Sequence, residues 1–114
     1  MKALIFALLL LPSAANAWTG SEMLKYCTAE PGDATGFEDM STCQGFVLGA
    51  IQMDKLSAGW GYKPRPFICE PAGTTLGQHI KIYVKFLNAN PEQLHVSGVS
   101  SLVNALRRVF PCEG

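Results

Sequence analysis

Apolar residues recur at steps of three and four in four stretches of the chain, and no period-two alternation of useful length occurs. The first stretch holds Met23, Leu24 and Cys27. It follows Thr19-Gly20-Ser21-Glu22, a hydroxyl with a Glu three residues on, which is the spacing of a capping box. A first helix is predicted over 20–28. Pro and Gly between residues 30 and 36 end it in a turn. Met40, Cys43, Val47, Ala50 or Ile51, and Asp54 or Leu56 predict a second helix over 38–58. Gly45 and Gly49 lie four apart on it, and two interior glycines there read either as close approach of a neighbouring helix or as mere tolerance. Gly59, Gly61, Pro64 and Pro66 make the next segment an extended loop. Thr75 and Gln78 repeat the capping pattern ahead of Leu76, Ile80, Tyr83, Val84 and Leu87, a third helix ending near residue 88. Asn90-Pro91-Glu92-Gln93 reads as a helix start, with Asn as cap and Pro in the first turn. Leu94, Val99, Leu102, Val103, Leu106, Val109 and Phe110 would be its buried stripe, and Pro111 its stop. The fold class expected is all-α, a small four-helix bundle.

The start of the chain changes the compartment. Lys2 precedes an unbroken apolar run over residues 3–11, and Ala15-Asn16-Ala17 supplies small residues where a signal peptidase reads. The run is shorter than the roughly 20 residues needed to cross a bilayer core. A signal peptide over 1–17 is expected, cleaved after Ala17, leaving one domain over 18–114 in the bacterial periplasm and no membrane attachment. Removing Lys2 from the nine Lys and Arg leaves eight against nine Asp and Glu. Near neutrality offers no basic stripe for a phosphate backbone, so nucleic acid is not an expected partner.

Cys27, Cys43, Cys69 and Cys112 are an even set in a small exported chain, which reads as two disulfides. The close Cys pairs of a zinc site are missing. Cys27 falls late in the first helix and Cys43 early in the second, and a short turn joins them. Antiparallel packing of the third and fourth helices leaves Cys69 beside Cys112. The expected pairing is Cys27–Cys43 and Cys69–Cys112.

Candidate chemistry is sparse. His79 and His95 are the two histidines, and neither has a nucleophile and orienting acid at a recognisable spacing. Both read as surface or boundary residues. Glu38 and Asp39 suit the start of a helix, where acids meet the positive end of its dipole. Asp54 continues an apolar stripe, either as a buried, paired acid or as the point where the stripe drifts outward. No catalytic residue, metal ligand or cofactor site is assigned. The loop 59–67 carries the strongest binding signal. Trp60, Tyr62, Lys63 and Arg65, with Phe67 beside them, are held between residues that restrict the backbone. Trp, Tyr and Arg dominate interface hot spots, and prolines lower the ordering cost. The alternative is that Trp60 and Phe67 fold back as a lid on the core.

In their order and spacing, Cys43-Gln44-Gly45-Phe46-Val47-Leu48-Gly49, Phe67-Ile68-Cys69-Glu70-Pro71, Gln78, Asn90-Pro91-Glu92 and the ending Ala105-Leu106-Arg107-Arg108-Val109-Phe110-Pro111-Cys112 resemble the Rap/Tai immunity proteins of type VI secretion. The resemblance covers nearly all of the chain after residue 17. It implies a small, helical, disulfide-bonded periplasmic protein that binds and blocks a peptidoglycan-cleaving amidase effector. Two other classes stay in view: a periplasmic chaperone or acid-stress protein, and a small secreted hydrolase that would need one of its histidines. The oligomeric state is open, a homodimer included.

Overall fold

The computed structural model describes residues 18–113, so the signal-peptide reading of residues 1–17 lies outside them. Four helices follow in order: α1 (Gly20–Cys27), α2 (Gly36–Gly59), α3 (Leu76–Ala89) and α4 (Gly98–Val109), with a short 3-10 turn at Pro91–Gln93. Among the described residues there is no strand, only one isolated bridge between Thr19 and Ser97.

Local chemistry starts two of the helices as the sequence predicts. Thr19 Oγ1 accepts the Glu22 N–H at the head of α1. Thr75 and Gln78 form the full reciprocal capping box of α3, with N···O distances of 2.7 and 3.2 Å. The core then gathers one stripe from each helix: Met23 from α1, Cys43, Val47 and Ile51 from α2, Tyr83 and Leu87 from α3, and Leu102, Ala105 and Leu106 from α4. Each large side chain so buried contributes about 2 kcal/mol relative to exposure. Tyr83 brings a hydroxyl into this core. Its Oη lies 2.7 Å from Ser101 Oγ and 2.9 Å from the Gly98 carbonyl, so the polar tip is satisfied. Burial pushes its phenol up to about 12, with the Ser101 hydrogen bond opposing.

Helix four departs from expectation. Asn90 does not cap it. Its side-chain amide instead donates back to the Phe86 carbonyl at 2.8 Å and closes the end of α3. After the 3-10 turn, the backbone is taken by α1. Gly20 N–H donates to Val96 O and Ser21 N–H to Leu94 O, both at 2.9 Å, and Gly98 N–H donates to Trp18 O at 2.6 Å. The Val96 and Leu94 carbonyls satisfy α1 donors that a helix leaves unpaired at its start, and the Trp18 carbonyl does the same for the first residue of α4. α4 therefore begins at Gly98, and Val99 and Val109, placed on the stripe by sequence, are exposed.

Both disulfides form as expected. Cys27–Cys43 joins α1 to α2 with the Cα atoms 5.1 Å apart. Cys69–Cys112 ties the segment before α3 to the chain after α4 at 5.0 Å. Beside it, Cys69 N–H donates to the Phe110 carbonyl at 3.1 Å. Of the two glycine readings tolerance holds: a Cβ at Gly45 or Gly49 would meet nothing within 4 Å, and among the described residues no helix approaches them closely. Close approach occurs at Gly98, where a Cβ would lie 2.8 Å from Met23 Cγ.

Candidate partner-binding surface

The loop after α2 is built by its ends. α2 closes with Gly61 at φ +81°, Tyr62 N–H donating to Ser57 O and Gly61 N–H to Ala58 O. This is the Schellman geometry, and it needs a residue without Cβ at the left-handed position. The turn throws Trp60 and Tyr62 outward, 62% and 80% exposed, with ring centroids 6.1 Å apart in an edge-to-face pair. Phe67 is also exposed, so the lid alternative does not hold.

Asp54 anchors the far end of the loop. It is only 8% exposed, and its carboxylate accepts Phe67 N–H at 2.9 Å and Ile68 N–H at 3.1 Å and pairs with Lys63. Of the two sequence readings of this residue, the buried and paired one is correct. Lys63 thereby turns inward. Its Nζ also stands 3.7 Å from the centre of the Phe67 ring. Arg65 donates instead to the Glu113 carbonyl at 3.3 Å. The four residues assigned to partner binding thus split. Trp60 and Tyr62 form one exposed aromatic pair, Lys63 serves the loop's own anchorage, and Arg65 leans on the C-terminal segment.

A second polar cluster holds the segment beyond Cys69. Glu70 pairs with Lys55 of α2 and with His79 of α3. Burial alone would raise the Glu70 carboxyl, but hydrogen bonds and charge from Lys55 and His79 outweigh it and hold the group below its ordinary 4.5. His79, read from sequence as a surface or boundary residue, is buried, with its ring edge-on to Phe110 at 6.3 Å. It has a carboxylate partner, but among the described residues no Ser, Thr or Cys side chain hydrogen-bonds to the pair. His95 is exposed. Among the described residues no group of three His, Cys, Asp or Glu side chains could hold a metal ion, and no helix is long and apolar enough to cross a membrane.

Beside the loop lies a groove of about 660 Å³, lined by Lys63, Arg65 and Phe67 on one side and Asn104, Arg107 and Arg108 of α4 on the other. Near-neutral net charge hid this clustering. It arises because the Cys69–Cys112 bridge brings the loop against the end of α4, and the sequence signal for it was that pairing together with the adjacent Arg107-Arg108.

The arrangement defines a small disulfide-braced helix bundle that presents a stiffened aromatic loop and a basic groove. The family model of the Rap1a immunity proteins matches residues 19–112, and the chain belongs to that family. No curated protein and no solved structure matches it.

Proposed function

We propose that this chain is exported to the periplasm, its leader cleaved after Ala17, and that it acts there as an immunity protein of type VI secretion, blocking a peptidoglycan-cleaving amidase by stoichiometric binding. Membership of the immunity family supports the class of role, and the two disulfides suit an oxidising compartment. The observation that carries the binding mode is the Trp60–Tyr62 pair. Two large aromatic side chains stand in solvent on a backbone held by a helix-end motif and by Asp54, which lowers the ordering cost of binding. Trp60, Tyr62, Lys63 and Arg65 are the proposed contact set, Lys63 by holding the loop in shape.

Co-expression with peptidoglycan amidases of type VI secretion tests the reading. The expected result is a co-purifying complex and loss of peptidoglycan cleavage at equimolar ratio. Replacing Trp60 and Tyr62 by Ala should weaken binding at least about thirtyfold, as for paired hot-spot residues, with the fold intact by circular dichroism. Full-rate cleavage by every amidase so tested, with this chain in excess, overturns the proposal. A homodimer is a separate proposal, resting on the stretch 41–53 of α2, which carries no charged residue and exposes Leu48 and Met53 beside Gly45 and Gly49. A monomer mass by light scattering at every concentration removes it.

A further inference from the structure

We infer that the groove between the loop and α4 takes an acidic polypeptide segment of the partner protein, and that Arg107 and Arg108 are the residues that select it. The inference rests on the immunity reading for the identity of the partner but not for the chemistry of the groove. Lys63, Arg65, Arg107 and Arg108 line the groove, and no Asp or Glu side chain does. Two of the four are already engaged: Lys63 with Asp54, and Arg65 with the Glu113 carbonyl. Arg107 and Arg108 differ. Both are exposed, and among the described residues neither has a carboxylate within ion-pair distance. Each lies instead toward an aromatic ring, Arg107 at 5.9 Å from the Phe67 centroid and Arg108 at 4.9 Å from that of Phe86.

A guanidinium resting on a ring keeps its planar fork of N–H donors at the edge, the geometry that grips a carboxylate in two places. Leaving α4 at adjacent positions, about 100° apart around its axis, the two forks suit two separate carboxylates on a chain. The volume points the same way. About 660 Å³ holds several residues of polypeptide. Phe67 and its neighbours Pro64 and Pro66 give apolar walls for the stems of Glu side chains, and Asn104 adds a neutral polar group. The groove also shares Lys63 and Arg65 with the loop that carries Trp60 and Tyr62. A partner seated on the aromatic pair would extend an acidic segment across it.

The test uses the oxidised chain from residue 18 onward and a fluorescein-labelled hexaglutamate peptide, read by anisotropy. The expected result is saturable binding that weakens as sodium chloride rises from about 50 to about 300 mM. Arg107→Ala with Arg108→Ala should weaken it about tenfold or more, while Arg107→Lys with Arg108→Lys recovers part of the loss. Lys25→Ala with Lys81→Ala removes the same charge from exposed positions outside the groove and should change it little. Absence of peptide binding, or equal binding by the double Ala variant, overturns the inference. So does competition by inorganic phosphate or a soluble muropeptide at the same concentration as unlabelled peptide, which would assign the groove to small anions. The amidase assay separates the two proposals. Full inhibition by the double Ala variant overturns the docking of the effector here and leaves the immunity role standing. Groove-dependent peptide binding by a chain that inhibits no amidase supports the groove and sinks that role.

Discussion

A carboxylate at a position where a helical stripe asks for an apolar side chain must find donors, and Asp54 finds three, two of them backbone N–H groups of the loop it holds. Replacing it by Ala leaves two donors and the Lys63 charge without their acceptor in a nearly buried place. The expected loss is about 3 kcal/mol in urea unfolding, below the upper range for buried pairs because Lys63 can swing to solvent. Asp54→Asn keeps an acceptor for one N–H and should lose about half as much. A loss under about 1 kcal/mol for the Ala variant would mean that the loop is held by other contacts. Glu70 allows a second prediction, in pH. Its carboxyl is held below 4.5 in the folded chain. A lowered folded value gives stability that is present above the unfolded value and lost as pH falls through the folded one. The wild type should therefore melt above Glu70→Gln at neutral pH, and the two melting temperatures should converge on acidification below about pH 4.5. A gap that is constant down to pH 3 would assign the difference to packing.

At the scale of elements, the junction of α1 with α4 is the place where local and tertiary rules disagree. Helix propensity favours Ala over Gly at residue 98 by up to about 1 kcal/mol. Packing opposes it, because the added Cβ would sit 2.8 Å from Met23 Cγ and 2.9 Å from Trp18 O, and overpacking of this kind costs about 1–3 kcal/mol. Packing should win, and Gly98→Ala should lower the urea midpoint. A rise would show that Met23 moves aside freely. The same junction explains what could be read in advance. α1 and α3 were legible because their starts are set by their own side chains, Thr19 with the Glu22 backbone and Thr75 with Gln78. The start of α4 was not. Asn90 caps backward onto α3, and residues 94–97 are claimed by a helix some seventy positions earlier, which no local pattern reports. Gly45 and Gly49 stayed open between two readings for the related reason that spacing shows a face but not what lies opposite. The aromatic loop was legible from composition. Its anchorage on Asp54 and its groove with Arg107 and Arg108 were not, because both depend on contacts between residues far apart in sequence.

For the whole molecule, the two disulfides divide the labour between stability and shape, and removing each should give a different failure. On chain entropy alone, the link closing 43 residues, Cys69–Cys112, is worth about 4 kcal/mol and the link closing 16, Cys27–Cys43, about 3. Burial reverses that order. Cys27 and Cys43 belong to the core, so truncating both to Ala also empties volume between α1 and α2, adding about 2 kcal/mol. Cys69 is exposed and Cys112 half-buried, so little packing is lost with them. Cys27→Ala with Cys43→Ala should therefore cost the larger share of global stability in urea, near 5 kcal/mol against 4. The surface should respond the other way. The amide of residue 69, bonded to Phe110 O beside the second bridge, should lose hydrogen-exchange protection in Cys69→Ala with Cys112→Ala, and hexaglutamate binding should fall with it. In the other variant that amide should stay protected until the chain unfolds as a whole. If both variants lost groove binding in proportion to their loss of stability, the bridges would act only on the folding equilibrium, and the loop would need no separate lock on α4.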